Sequence, residues 1–193
     1  QSQEDAALVK AFQTAKDKVA FDQVVLKYKD MVFNVCYRML GDYEEANDCA
    51  QETFVKVYRS LKSFRFKSTF TTWLYRIAVN TCKNKLTSIG YKYSKKMVRL
   101  DKPIRTREGS CLIEIGDGSP SPVKELEIKE KGQFIQKAID SLPEEQKTVV
   151  VLRDIEGLSY EEIANITGHN PGTVKSKLAR ARRYLREKLR ELI

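Results

Sequence analysis

Histidine, tryptophan and cysteine are scarce in this chain: 1 His, 1 Trp and 4 Cys among 193 residues. A single His leaves no imidazole pair for a His-rich metal site or a His-based relay. Cys36, Cys49, Cys82 and Cys111 lie at least 13 positions apart and form no Cys-x-x-Cys pair. That spacing argues against a zinc ribbon or disulfide scaffold and suits reduced thiols in a cytoplasmic protein. Long apolar runs are also missing, and Val149-Val150-Val151-Leu152 falls far short of the ~20 residues of a membrane span. No charged-then-apolar signal segment opens the chain. No phosphate loop or nucleophile–base pair is visible, so the expectation is a protein that is not an enzyme and carries no metal or cofactor.

What the chain has in excess is positive charge, 35 Lys+Arg against 26 Asp+Glu for a net +9. The excess is segregated. Thr53 to Leu100 contains no acid, 12 cations and 9 of the 18 aromatics. Cations for phosphates interleaved with ring faces for unstacked bases suit a single-stranded nucleic-acid surface. The same residues also fit a solvated basic face over an aromatic helical core, because Phe54, Tyr58, Trp73 and Ile77 fall at core spacing. A second basic block, Pro171 to Ile193, carries 8 cations and 2 acids, and the stretch before it, Asp140 to Asn170, is acidic.

The periodicity is helical almost throughout and strand signals are negligible, so the fold class is all-α. Leu8, Val9 and Phe12, then Val19, Val24, Val25, Tyr28, Val32, Val35, Cys36 and Met39, recur at three-to-four spacing up to Gly41. Asp42 can N-cap a helix that buries Ala46, Cys49, Ala50, Thr53, Phe54, Val57 and Leu61. Residues 63–69 read as a loop, followed by a helix from about Phe70 to Ile89. Between Asp101 and Pro122 the periodicity disappears among prolines and glycines, which predicts a linker and two domains, 1–100 and 125–193, joined by a flexible 101–124. Beyond it a helix covers Leu126 to Ile139, and Ser141-Leu142-Pro143-Glu144 reads as a capping box for a helix ending at Gly157.

The most specific local pattern spans 158–178. Ser159 with Glu162 makes a capping box, Ile163, Ala164 and Ile166 face inward, Gly168 supplies the turn, Asn170 can cap and Pro171 suits the first turn of the next helix. Val174, Leu178 and Ala181 form a narrow buried stripe, leaving Thr173, Lys175, Ser176, Lys177, Ala179, Arg180 and Arg183 on the other face. Cap, turn, small inward residues and a basic second helix together match the DNA-reading helix-turn-helix; a plain helical hairpin with a charged last helix is the alternative. By side-chain chemistry Lys175 and Arg180 suit guanine edges or phosphate, Ser176 suits base or backbone, and Arg182, Arg183 and Arg186 suit phosphates. His169 reads as a turn residue or phosphate contact.

Three stretches then resemble the extracytoplasmic-function class of bacterial sigma factors. They are Asp48-Cys49-Ala50-Gln51-Glu52-Thr53-Phe54; Ser63-Phe64-Arg65 through Phe70-Thr71-Thr72-Trp73-Leu74-Tyr75-Arg76-Ile77-Ala78-Val79-Asn80-Thr81; and Leu142-Pro143 through the helix-turn-helix to Ser176. The resemblance implies a dissociable initiation subunit of core RNA polymerase that contacts the clamp coiled coil and the flap, binds promoter DNA as duplex and as single strand, and is held by an anti-sigma factor. It places Asp48, Gln51, Glu52, Phe54 and Val55 on the clamp-docking helix. It places Lys56, Ser60, Ser63, Phe64, Phe70, Asn80, Lys83 and Asn84 at the minus-ten element, with Phe64, Phe70 and Asn80 around a flipped base. It places Thr173, Lys175, Ser176, Ala179, Arg180 and Arg183 at the minus-thirty-five element. Trp73 fits either core packing, the favoured reading, or the duplex–single-strand junction. Asn47 stands where the family commonly has an acid, and Ala179 is small at a position often bulkier. A stand-alone helix-turn-helix regulator explains 158–186 but leaves the acid-free aromatic block without a role.

Overall fold

The computed structural model describes residues 2–15, 17–88 and 122–190, and among these every regular element is helical. The first unit holds α1 (Ser2–Ala15), α2 (Lys18–Leu40), α3 (Tyr43–Ser60), a 3-10 turn at Leu61–Ser63 and α4 (Phe70–Thr87). The second holds α5 (Pro122–Asp140), α6 (Glu144–Val150), a π-helical turn at Val151–Ile155, α7 (Tyr160–Thr167) and α8 (Pro171–Arg190). The end of the predicted α4 at Ile89 and most of the predicted linker lie outside the described residues, while α5 begins at Pro122, ahead of the expected Leu126.

Local chemistry sets the helix ends. The Asp42 carboxylate accepts the Glu45 N–H at 3.0 Å, and Gly41 ends α2 with φ 74°, a left-handed conformation that a side chain would strain. On α2 the buried stripe is Ala20, Val24, Tyr28, Val32, Val35, Cys36 and Met39. Val19 departs from the expected pattern and is exposed, because it falls about 100° round the helix from Ala20, which takes the first place in the 20-24-28-32 row. Phe54 is half-buried against the core, whereas Ala46, Cys49, Ala50, Thr53, Val57 and Leu61 are buried. Tyr28 donates to Asp5 at 2.7 Å and Lys27 reaches both Asp5 and Glu4, which fastens α1 to α2. Gln13 of α1 then donates to the carbonyls of Leu61 and Phe64, both at 2.9 Å, and so anchors the 61–69 loop.

The capping box expected at Ser141 is absent. Ser141 donates its hydroxyl to the Ala138 carbonyl at 2.6 Å, closing α5, and Pro143 precedes α6 with no side-chain cap. The helix winds through the π-turn before Gly157, also at φ 74°, ends it.

The two units pack together through α2 and α4. Tyr75 donates to the Glu156 carboxylate at 2.7 Å, Arg76 to the Asn165 carbonyl at 2.6 Å, and Arg38 to Gln136 at 3.0 Å. Lys147, buried, reaches the Met39 carbonyl at 3.2 Å and the Asp140 carboxylate at 2.9 Å. A Cβ at Gly41 would collide with that carboxylate. Buried residues therefore form one continuous cluster running from Val9 to Ala181.

Burial pushes the Glu156 carboxyl above its ordinary value of 4.5, opposed by the Tyr75 hydrogen bond and the Arg38 charge. The folded chain then binds the proton more tightly than the unfolded one. The Glu156 contribution is complete below pH 4.5 and is lost as pH rises through the folded value. Urea midpoints measured across this range should fall with rising pH more steeply in the parent chain than in Glu156→Gln; equal slopes would refute the assignment.

Candidate nucleic-acid interface

α7 and α8 are placed by the caps that the sequence announces. Ser159 and Glu162 form the reciprocal capping box, Gly168 turns the chain at φ 74°, and the Asn170 side chain accepts the Thr173 N–H at 2.7 Å. Ile163, Ile166, Val174, Leu178 and Ala181 are buried between the two helices and the body. Lys175, Ser176, Ala179, Arg180 and Arg183 are exposed on α8 and Thr173 is half-buried at its start. The Lys175 ammonium sits 5.3 Å from the Tyr160 ring centroid, and Ser176 donates to the Thr173 carbonyl at 3.0 Å. A protruding helix with cations and small polar groups on its open face has the shape and charge to enter a major groove.

Two cations of α8 behave differently. Arg182, read from sequence as a phosphate clamp, is held by both oxygens of Asp154, which raises its pKa. Lys177 bridges to Glu145 at 2.6 Å and lies 2.7 Å from His169. The Lys177 hydrogen bond holds the Glu145 carboxyl below its ordinary range. The acidic stretch before α8 thus pairs the two cations that flank the buried stripe, one on each side, and leaves Lys175, Arg180 and Arg183 on the open face.

In the first unit Asn80 and Asn84 are exposed and Lys83 half-buried, one row on α4 at i, i+3, i+4 spacing. Lys56 crosses from α3 to donate to Thr81 at 3.2 Å and pairs with Glu52 at 2.7 Å. Ser60 donates back to the Lys56 carbonyl and Ser63 to the Ser60 carbonyl, so both hydroxyls tighten the end of α3. Thr69 caps α4, its side chain accepting the Thr72 N–H at 3.1 Å.

The loop aromatics divide in a way that periodicity does not reveal. Phe64 and Phe70 are buried, and Trp73 packs on them with ring centroids 5.0 and 5.8 Å away, the core role favoured for it from sequence. Phe66, which the sequence reading did not single out, is 41% exposed, 4.8 Å from the Phe64 ring, with the Lys10 ammonium 5.9 Å from its own centroid. Its backbone is left-handed at φ 54°, uncommon for a bulky side chain and a conformation that clusters at functional sites. Its flanking cations, Arg65 and Lys67, are the only sequence signal that could have marked it.

On α3, Asp48, Gln51, Glu52 and Val55 form one exposed row, with Val55 47% exposed at its end, while Phe54 turns inward. Lys85 ties this helix to α4 through Glu45 at 2.5 Å and Asp48 at 3.9 Å. No helix among the described residues is long and apolar enough to cross a membrane.

A capped helix-turn-helix with a basic outer helix defines the class first, an all-helical DNA-binding protein. Comparison with known proteins narrows it. Residues 24–90 match the family described as Sigma-70 region 2, and residues 134–185 match Sigma-70, region 4. The chain is 38% identical over 191 residues to the RNA polymerase sigma-H factor of Pseudomonas aeruginosa, covering 99% of this chain and 96% of that one. It is likewise 38% identical over 189 residues to the ECF RNA polymerase sigma-E factor of Escherichia coli, covering 98% and 96%. The fold is shared with CnrH, solved in complex with the cytosolic domain of CnrY, at TM-score 0.67 and 22% identity over 97% of this chain and 98% of that one. It is also shared with the sigma factor RpoE of Bartonella quintana, solved with the anti-sigma factor NepR, at TM-score 0.61 and 25% identity over 88% and 96%. The chain belongs to the extracytoplasmic-function sigma factors of the sigma-70 family, subunits that serve RNA polymerase in initiation and are not themselves enzymes. A stand-alone regulator is displaced by the region 2 match, which falls on the block that reading left without a role.

Proposed function

We propose that residues 1–100 dock core RNA polymerase and capture the minus-ten element as single strand, that residues 125–193 read the minus-thirty-five duplex, and that 101–124 link them. The observation that carries this reading is the pair of open polar faces: Asn80, Lys83 and Asn84 on α4 and Lys175, Ser176 and Arg180 on α8. The row Asp48, Gln51, Glu52 and Val55 offers acceptors beside an exposed apolar side chain, suited to a basic coiled-coil partner. Of the aromatics in the loop before α4, Phe66 is the exposed one, so it, above buried Phe64 and Phe70, is the platform for an extruded base.

Geometry adds a requirement. The two promoter elements lie about 25 base pairs apart, roughly 85 Å at 3.4 Å per step. Tyr75 and Glu156, one from each unit, are 2.7 Å apart. Engaging both elements at once therefore means separating the units, and the 33 residues between Ser88 and Pro122 reach at most about 110 Å, enough for the span. The packed form is the state that an anti-sigma partner, as seen with RpoE of Bartonella quintana, would hold.

Asn80→Ala should slow open-complex formation by roughly tenfold, the worth of one base hydrogen bond, with polymerase affinity unchanged. Promoter-dependent transcription with added core polymerase, measured beside a polymerase-binding assay, tests it. Parallel loss in both assays would overturn the assignment.

A further inference from the structure

Cysteines 13 and 33 positions apart in sequence meet in the core of the first unit. Cys36 comes from α2, Cys49 from α3 and Cys82 from α4, each 0% exposed. Their three sulfurs all lie within 4.8 Å of one another, with Cys49 and Cys82 3.5 Å apart. A trivalent metalloid held by three thiolates is pyramidal, so bonds of about 2.3 Å at S–M–S angles of about 95° put its sulfurs about 3.4 Å apart. The Cys49–Cys82 edge already matches that value and all three sulfurs lie within 4.8 Å of one another, so little backbone movement is needed to close the triangle.

Charge selects the ion. Three thiolates carry three negative charges, and the site is dry, where net charge is costly. A monovalent soft ion would leave two charges buried and a divalent one would leave one. A trivalent thiophile leaves none.

We propose that Cys36, Cys49 and Cys82 form a three-thiolate site for a trivalent thiophilic metalloid, arsenic(III) or antimony(III). With arsenous acid the exchange balances without redox. Three As–O bonds break, three As–S bonds form, and each thiol proton leaves with a hydroxide as water. Because the sulfurs are buried, uptake follows local opening of α2, α3 and α4 and is slow, accelerating in dilute urea. The sulfurs are buried beneath the row of Asn80, Lys83 and Asn84 on α4, and the test reads metalloid binding alone, so its outcome is independent of the promoter-reading roles.

The probe is arsenous acid added to the reduced full-length chain without competing thiol, read by native mass spectrometry and by thermal unfolding. The expected result is one arsenic per chain, replacing three protons, with a raised midpoint. Cys111→Ala should bind like the parent. Cys36→Ala, Cys49→Ala and Cys82→Ala, each verified as helical by circular dichroism, should bind at least a hundredfold more weakly. Should one of them fail to fold, the three-proton replacement in the parent and in Cys111→Ala still decides the matter. No adduct, an adduct replacing fewer than three protons, dependence on Cys111, or tighter binding of cadmium(II) or zinc(II) than of arsenous acid would overturn the proposal.

Discussion

Arg180→Ala is expected to weaken binding of the polymerase-bound protein to a minus-thirty-five duplex by roughly 1–3 kcal/mol, five- to a hundredfold or more. Arg180 lies on the exposed face of α8, one turn beyond Ser176 and in the row opposite the buried Val174, Leu178 and Ala181. Its guanidinium has the fork that matches guanine O6 and N7, which a lysine there would not reproduce. A base contact predicts a loss that depends on sequence; a phosphate contact predicts an even loss and a salt slope lower by about one. Arg182→Ala is the internal comparison, since Asp154 already holds that side chain. Fluorescence anisotropy over a salt series separates these outcomes. An Arg180→Ala chain with parent affinity and slope would remove Arg180 from the interface.

Asp140→Ala should destabilise the fold by about 3 kcal/mol, near the low end for breaking a buried ion pair because Asp140 keeps 26% exposure. The loss falls on Lys147, whose side chain is 5% exposed and would retain only the Met39 carbonyl. Adding Lys147→Met to Asp140→Ala should recover most of the stability, since an apolar side chain of similar length needs no partner. Denaturant midpoints of the parent, single and double variants test this. Failure of the double variant to recover would place the effect in packing against Gly41 instead of charge.

The helical character, the caps at Asp42, Ser159 and Asn170, the turn at Gly168 and the basic open face of α8 were all legible from residue order. Each depends on hydrogen bonds within four residues or on the 3.6-residue period, and both are local. The resemblance to sigma factors was equally legible, because its motifs are contiguous. Ser141 was misread because a Ser-x-x-Glu pattern can serve the helix behind it as well as the one ahead, and only the chain path chooses. Packing also decided that Phe64 and Phe70 are covered, since Tyr28 of α2 packs on Phe70 and Gln13 of α1 fixes the Phe64 carbonyl, both from distant positions.

Charge was legible as a segregation, yet its pairing was not. Asp154 takes Arg182, Glu145 takes Lys177 and Asp140 takes Lys147, so part of the basic excess is spent inside the fold. Cysteine makes the same point more sharply. Spacing in the sequence excluded a zinc ribbon, but three helices crossing one core bring Cys36, Cys49 and Cys82 within 4.8 Å. What the sequence alone determined is whatever short-range geometry controls, the helices, their caps and the order of family motifs. What the tertiary structure decided is which distant side chains meet, because helix crossing and the burial of one continuous core set those distances.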